Sequence, residues 1–127
     1  MNLIRKTYGT TEVQITSFQS SKGITEYHIF FQQTDCMEDF HSQLQHIQDV
    51  YMRCAEELPG NPVAIFRRYF MSDVTNQTDK LMERERLFPY CALSIVQQAP
   101  MNGTKIALWA WLQTGVQTQV LPSGLFE

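Results

Sequence analysis

No segment of this chain is apolar for long enough to cross a bilayer. Its longest uncharged apolar run, Ile106 to Leu112, falls far short of a spanning helix. Neither sign of charge dominates: Lys and Arg number 10 and Asp and Glu 13, for a formal net charge of -3 among 127 residues. That balance argues against an electrostatic grip on nucleic-acid phosphates. Cysteine is scarce. Cys36, Cys54 and Cys91 lie far apart with no CxxC pair, and an odd count reads as reduced thiols rather than a disulfide framework. Met1 to Lys6 contains no apolar stretch of signal-peptide length, so the chain is placed in the cytoplasm. The sequence also lacks GxGxxG, GxxxxGK[ST], HExxH and GxSxG, which removes the commonest phosphate, metalloprotease and serine-hydrolase readings.

What is present is a globular composition, 43% hydrophobic, with enough length to bury a core in one domain. Glu12 to Phe18 alternates as a half-buried strand does, with Val13, Ile15 and Ser17 on one side. Gln19 to Gly23 is a hairpin turn, and Ile24 to Gln33 is a second strand rich in β-branched and aromatic residues. Asp35 and Glu38 have capping-box spacing. Beyond them Phe40, Leu44, Ile47, Tyr51, Cys54 and Leu58 recur at three or four, predicting a long amphipathic helix that Pro59-Gly60-Asn61-Pro62 stops. Val63 to Met71 reads as an internal strand. Asp73 or Thr75 caps a shorter helix through Leu87, whose run Lys80, Glu83, Arg84, Glu85 and Arg86 reads as a solvated face.

Pro89 opens a strand over Tyr90 to Gln98, and Pro100-Met101-Asn102-Gly103 turns the chain into Lys105 to Gln113. In that last strand Trp109 and Trp111 share one face, Leu108 and Leu112 the other. The order read from the residues is β-β-α-β-α-β-β, an α+β domain with helices on one face of a mixed sheet. Val120 to Glu127 looks like a turn into another apolar segment. Two organisations therefore stay open: a single domain over 1–127, or a piece of a longer tandem protein.

Few residues stand out chemically. His41 and His46 are five apart on the first helix and do not share a face as a ligand pair would, and a lone strand histidine, His28, reads as structural. No metal site is expected. Cys91, near the start of a buried strand, would need a neighbouring base or cation to become reactive, and an inert packed thiol is the simpler reading. Arg67-Arg68 is the more unusual feature. Alternation sends one of the two toward the helix-covered face, where its charge needs Glu56, Glu57 or Asp73 as partner, or else an anionic ligand. Trp109 and Trp111 suit a pocket wall or, better, an oligomer interface.

Between about Asp39 and Leu112 the chain resembles the RidA (YjgF, or L-PSP endoribonuclease-like) family. The resemblance lies in the helix ending at Leu58-Pro59-Gly60, the apolar strand Val63 to Met71 running into Ser72-Asp73, the strand Pro89 to Val96 and the closing hairpin Pro100 to Trp111. It implies a six-stranded sheet backed by two helices, a homotrimer with ligand clefts between subunits, and no cofactor. Active relatives hydrolyse imines or enamines of 2-amino acids, using an arginine for the carboxylate and a glutamate for the water. Here the family's arginine falls on Cys91 or Pro89, its cysteine on Leu93 or Cys91, its glutamates on Ala107 and Trp109, and its asparagine near Leu81.

The reading that follows is a divergent RidA-like protein binding a small metabolite in an intersubunit cleft. Cys91, Leu93, Ala107 and Trp109 line that cleft, and Arg68 or Lys105 supplies positive charge. If the protein is a hydrolase, it is of the imine/enamine deaminase type. The alternative is a non-catalytic structural domain of a longer tandem enzyme such as a chorismatase-like hydrolase. Ribonuclease activity, an old label for the family, is opposed by the acidic balance and by the lack of a His-Glu or His-His pair.

Overall fold

The computed structural model describes residues 2–20 and 22–115. The segment Val120 to Glu127, read above as a turn into a further apolar stretch, lies outside the described residues. The chain runs β1 (Asn2–Tyr8), β2 (Thr11–Gln19), β3 (Thr25–Gln33), α1 (Phe40–Glu57), β4 (Val63–Met71), α2 (Val74–Glu85), β5 (Ala92–Gln97) and β6 (Ile106–Gln113). The strands form one mixed sheet in the order β1-β2-β3-β6-β4-β5, with only the β4–β5 pair parallel. Both helices pack on the same face. The α+β class, six-stranded sheet and two helices agree with expectation.

The element order does not: an N-terminal strand precedes the ones read from the sequence. β1 buries almost nothing, so it lacks the alternation that marks the other strands. Its ladder with β2 holds it, through a two-residue turn in which Gly9 takes φ 59. Arg5 and Lys6 charge this edge, which discourages pairing with foreign strands.

The core lies between sheet and helices. Val13 and Ile15 of β2, Ile29 and Phe31 of β3, and Ile106, Leu108, Ala110 and Leu112 of β6 face Leu44, Ile47, Tyr51 and Cys54 of α1. The helix stripe is the one the spacing predicts. Each large side chain so buried contributes about 1.5–3 kcal/mol relative to exposure. The cap of α1 differs from expectation: Asp39, not Asp35, accepts from Ser42 N at 2.8 Å, while Asp35 closes a local turn by accepting from Met37 N. Asp73 caps α2, as one of the two expected candidates. At the stop after α1, Gly60 has φ 84 and Thr114 Cγ2 lies 2.8 Å from where a Cβ would stand, so only glycine fits without a shift.

Candidate functional site

Strand alternation on β4 sends Arg67 into the helix-covered face, where it is 2% exposed. Its partner is none of the three carboxylates expected from the sequence but Glu85, in the last turn of α2. Arg67 Nη2 and Nε donate to Glu85 Oε1 at 2.9 and 3.2 Å, Nη1 donates to Tyr51 Oη at 3.0 Å, and Nη2 also reaches the Pro89 carbonyl at 3.2 Å. Tyr69 Oη donates to Glu85 Oε2 at 2.6 Å and accepts from Gln48, whose own Oε1 accepts from Arg84 Nε. The charge run on α2 is therefore not wholly solvated: Glu85 is buried, closing the stripe Gln77, Leu81, Glu85 at intervals of four.

This network sets the electrostatics of its surroundings. Burial works against the Arg67 charge, but the Tyr51 oxygen and the Glu85 carboxylate outweigh it and hold the guanidinium protonated. Burial pushes the Tyr69 hydroxyl well up, and the Glu85 charge adds to that, so Tyr69 stays a neutral donor. Burial likewise raises the Tyr51 hydroxyl. Cys91 is raised by burial, with Arg67 pulling the other way and Glu85 reinforcing. An unactivated thiol is the outcome.

Above the network, along the outer edge of β5, is a cleft of about 490 Å³ lined by Arg67, Met82, Glu85, Arg86, Phe88, Tyr90, Cys91 and Leu93. Two of the residues singled out from the sequence, Cys91 and Leu93, meet here. Arg86 at its rim is exposed and has no carboxylate within ion-pair distance among the described residues.

The other candidates lie elsewhere. Ala107, Trp109 and Arg68 belong to the sheet face away from the helices, where Arg68 and Trp109 sit directly across from one another. Ala107 floors a notch of about 360 Å³ walled by Phe30, Phe70 and the segment Gln98 to Met101. Lys105 stands at the head of β6, tied to the start of α1: its N–H donates to Gln43 Oε1 at 2.7 Å and its Nζ to the Glu38 carbonyl at 3.3 Å. The six residues thus fall into three places within one subunit. Glu85, Tyr51 and Tyr69 were not singled out, although Glu85 on the buried stripe of α2 is a signal the sequence carries.

The helix-free face is unusually aromatic. Phe18 packs edge-on to His28 at 5.7 Å, His28 stacks on Trp109 and Trp111 at 5.7 and 5.8 Å, and Trp109 meets Phe66 at 5.5 Å. Trp109 and Trp111 share this face and Leu108 and Leu112 the other, as alternation predicts. Phe66 is here too, whereas Ile95 packs toward the helices. All three cysteines are free, no helix among the described residues is long and apolar enough to cross a membrane, and among them no three His, Cys, Asp or Glu side chains converge to hold a metal ion. No family model matches this chain, and no curated protein matches it.

Proposed function

We propose that this is a divergent RidA-like protein that assembles through its aromatic sheet face and binds a small anionic metabolite at the β5 edge, in a cleft that a neighbouring subunit completes. The sheet of six strands backed by two helices is what that family resemblance implies. The observation that carries the reading is the cleft itself, about 490 Å³, which joins Cys91 and Leu93 to the exposed Tyr90 and to Arg86, which has no carboxylate partner among the described residues. A guanidinium without a carboxylate suits an anionic group, and the apolar walls of Leu93 and Phe88 suit the remainder of a small ligand. Three free thiols fit a reducing compartment.

The same cleft argues for binding rather than turnover. Its carboxylate, Glu85, accepts three hydrogen bonds from Arg67 and Tyr69, which leaves it a poor general base. Arg67 is spent on Glu85 and cannot serve as the substrate fork. Mutual neutralisation of these groups is also what favours the alternative, a non-catalytic domain supporting a partner domain in a tandem enzyme.

The test uses the purified chain. Fed 2-imino acids by an amino-acid oxidase, it should release keto acid no faster than the uncatalysed reaction. Screened by thermal shift against small 2-keto and aromatic carboxylates, it should be stabilised by at least one, and Leu93→Trp, which fills the cleft, should abolish that shift. Turnover would overturn the assignment of Glu85 and Arg67 as spent groups. No shift with any acid would favour the non-catalytic domain.

A further inference from the structure

Cross-strand register sorts the helix-free face into rows. Arg5, Gln14, Phe30, Trp109, Arg68 and Ser94 lie abreast, and beside them run Leu3, Thr16, His28, Trp111, Phe66 and Ala92. Charges of both signs flank the aromatic stack: Arg68, with Arg5 at the far β1 end of its row, and Glu26, which lies outside both rows and next beyond His28 on the same face of β3. On β4 the Arg68 guanidinium lies over Phe66 and Trp109, 5.2 and 6.0 Å from the ring centroids, and its Nε donates to Ser94 Oγ at 3.3 Å. Among the described residues it has no carboxylate within ion-pair distance. On β3 Glu26, 43% exposed, flanks His28 at 3.4 Å and has no lysine or arginine partner among the described residues.

Covering such a face removes water from Arg68 and Glu26. A guanidinium stripped of water without a carboxylate is strongly penalised, and so is a carboxylate without a cation. The patch is however complementary to itself: turned end for end, a second copy lays its Glu26 on Arg68 and its Arg68 on Glu26, with the rings packed between. A closed ring satisfies the same pairing with each neighbour in turn.

We infer that a second copy of this chain occupies the aromatic face, and that an intersubunit Arg68–Glu26 ion pair sets its register. The inference rests on the proposed self-association and goes beyond it by naming the contact that orients the copies. The indole and phenyl rings supply the apolar contact area, while the charge pair selects one orientation and opposes sliding along the flat sheet.

Sedimentation equilibrium on the full chain tests this, with far-UV circular dichroism checking that each variant is folded. The wild type is expected to associate. Arg68→Glu and Glu26→Lys should each weaken association by about tenfold or more, and the double variant Arg68→Glu/Glu26→Lys should recover most of the loss. Single variants that associate like the wild type, or a double variant no better than the singles, would overturn the ion pair while leaving self-association intact. A wild type that stays monomeric at every concentration would overturn self-association and this inference together.

Discussion

Residue by residue, the feature that most constrains this molecule is a charge buried where the fold has little room for one. Arg67 is held by Glu85, Tyr51 and a carbonyl, and Glu85 in turn by Tyr69, so neither charge is left unmet. Removing one partner strands the other in a low-dielectric interior, which typically costs about 3–5 kcal/mol, whereas replacing both with apolar groups of similar volume is often close to neutral. Glu85→Ala should therefore lower the urea-unfolding free energy by about that amount. The pair Arg67→Met/Glu85→Leu should lose distinctly less than Glu85→Ala alone. Equal losses from the single and the double variant would show that Arg67 is not stranded. That an arginine of β4 points inward is legible in the sequence, because adjacent strand residues must face opposite sides. Its partner is harder to read, since Glu85 sits in a run of charges that local composition reads as solvated. Only its spacing of four from Leu81 gives it away.

Among elements, α1 shows how capping links charge to pH. Asp39 accepts from the Ser42 N–H, and hydrogen bonding to Ser42 holds its carboxyl below the ordinary 3.8. A group whose folded pKa is depressed contributes stability that is present above its unfolded value and is lost as pH falls through the folded one. Urea unfolding of wild type and Asp39→Ala should then differ near neutrality, and the gap should close as pH falls below about 3.8. Asp39→Asn, which still caps but does not titrate, should hold its contribution across that range; a parallel fall in all three curves would remove the carboxylate from the account. The existence and apolar stripe of α1 follow from its three-and-four spacing. Its first turn does not, because Asp35 and Asp39 both precede the stripe and only backbone geometry decides which one caps. β1 escapes for a related reason: a strand exposed on both faces carries no period to detect, and the Gly9-Thr10 turn before the alternation of β2 is its only mark.

At the scale of the whole molecule, the sheet has two apolar faces, and among the described residues only one is covered by other elements of the chain. Leu108, fully buried beneath α1, and Phe30, 37% exposed on the other side, lie on β6 and its neighbour β3 yet answer to different equilibria. Truncating Leu108 to Ala removes core volume and should cost about 2–5 kcal/mol whatever the protein concentration. Changing Phe30 to Ser touches the helix-side core not at all, so the stability of the lone subunit should move by less than about 1 kcal/mol. Association stabilises the folded state by mass action, which makes the melting temperature rise with concentration. Calorimetry across a wide concentration range should accordingly separate the two variants. Leu108→Ala should melt lower than wild type throughout but keep the upward slope. Phe30→Ser should match wild type when dilute and fall progressively behind as concentration increases. If the wild-type melting temperature is itself independent of concentration, the aromatic face is not a self-association surface. If Phe30→Ser keeps the full slope, the contact lies on another part of that face, away from β3.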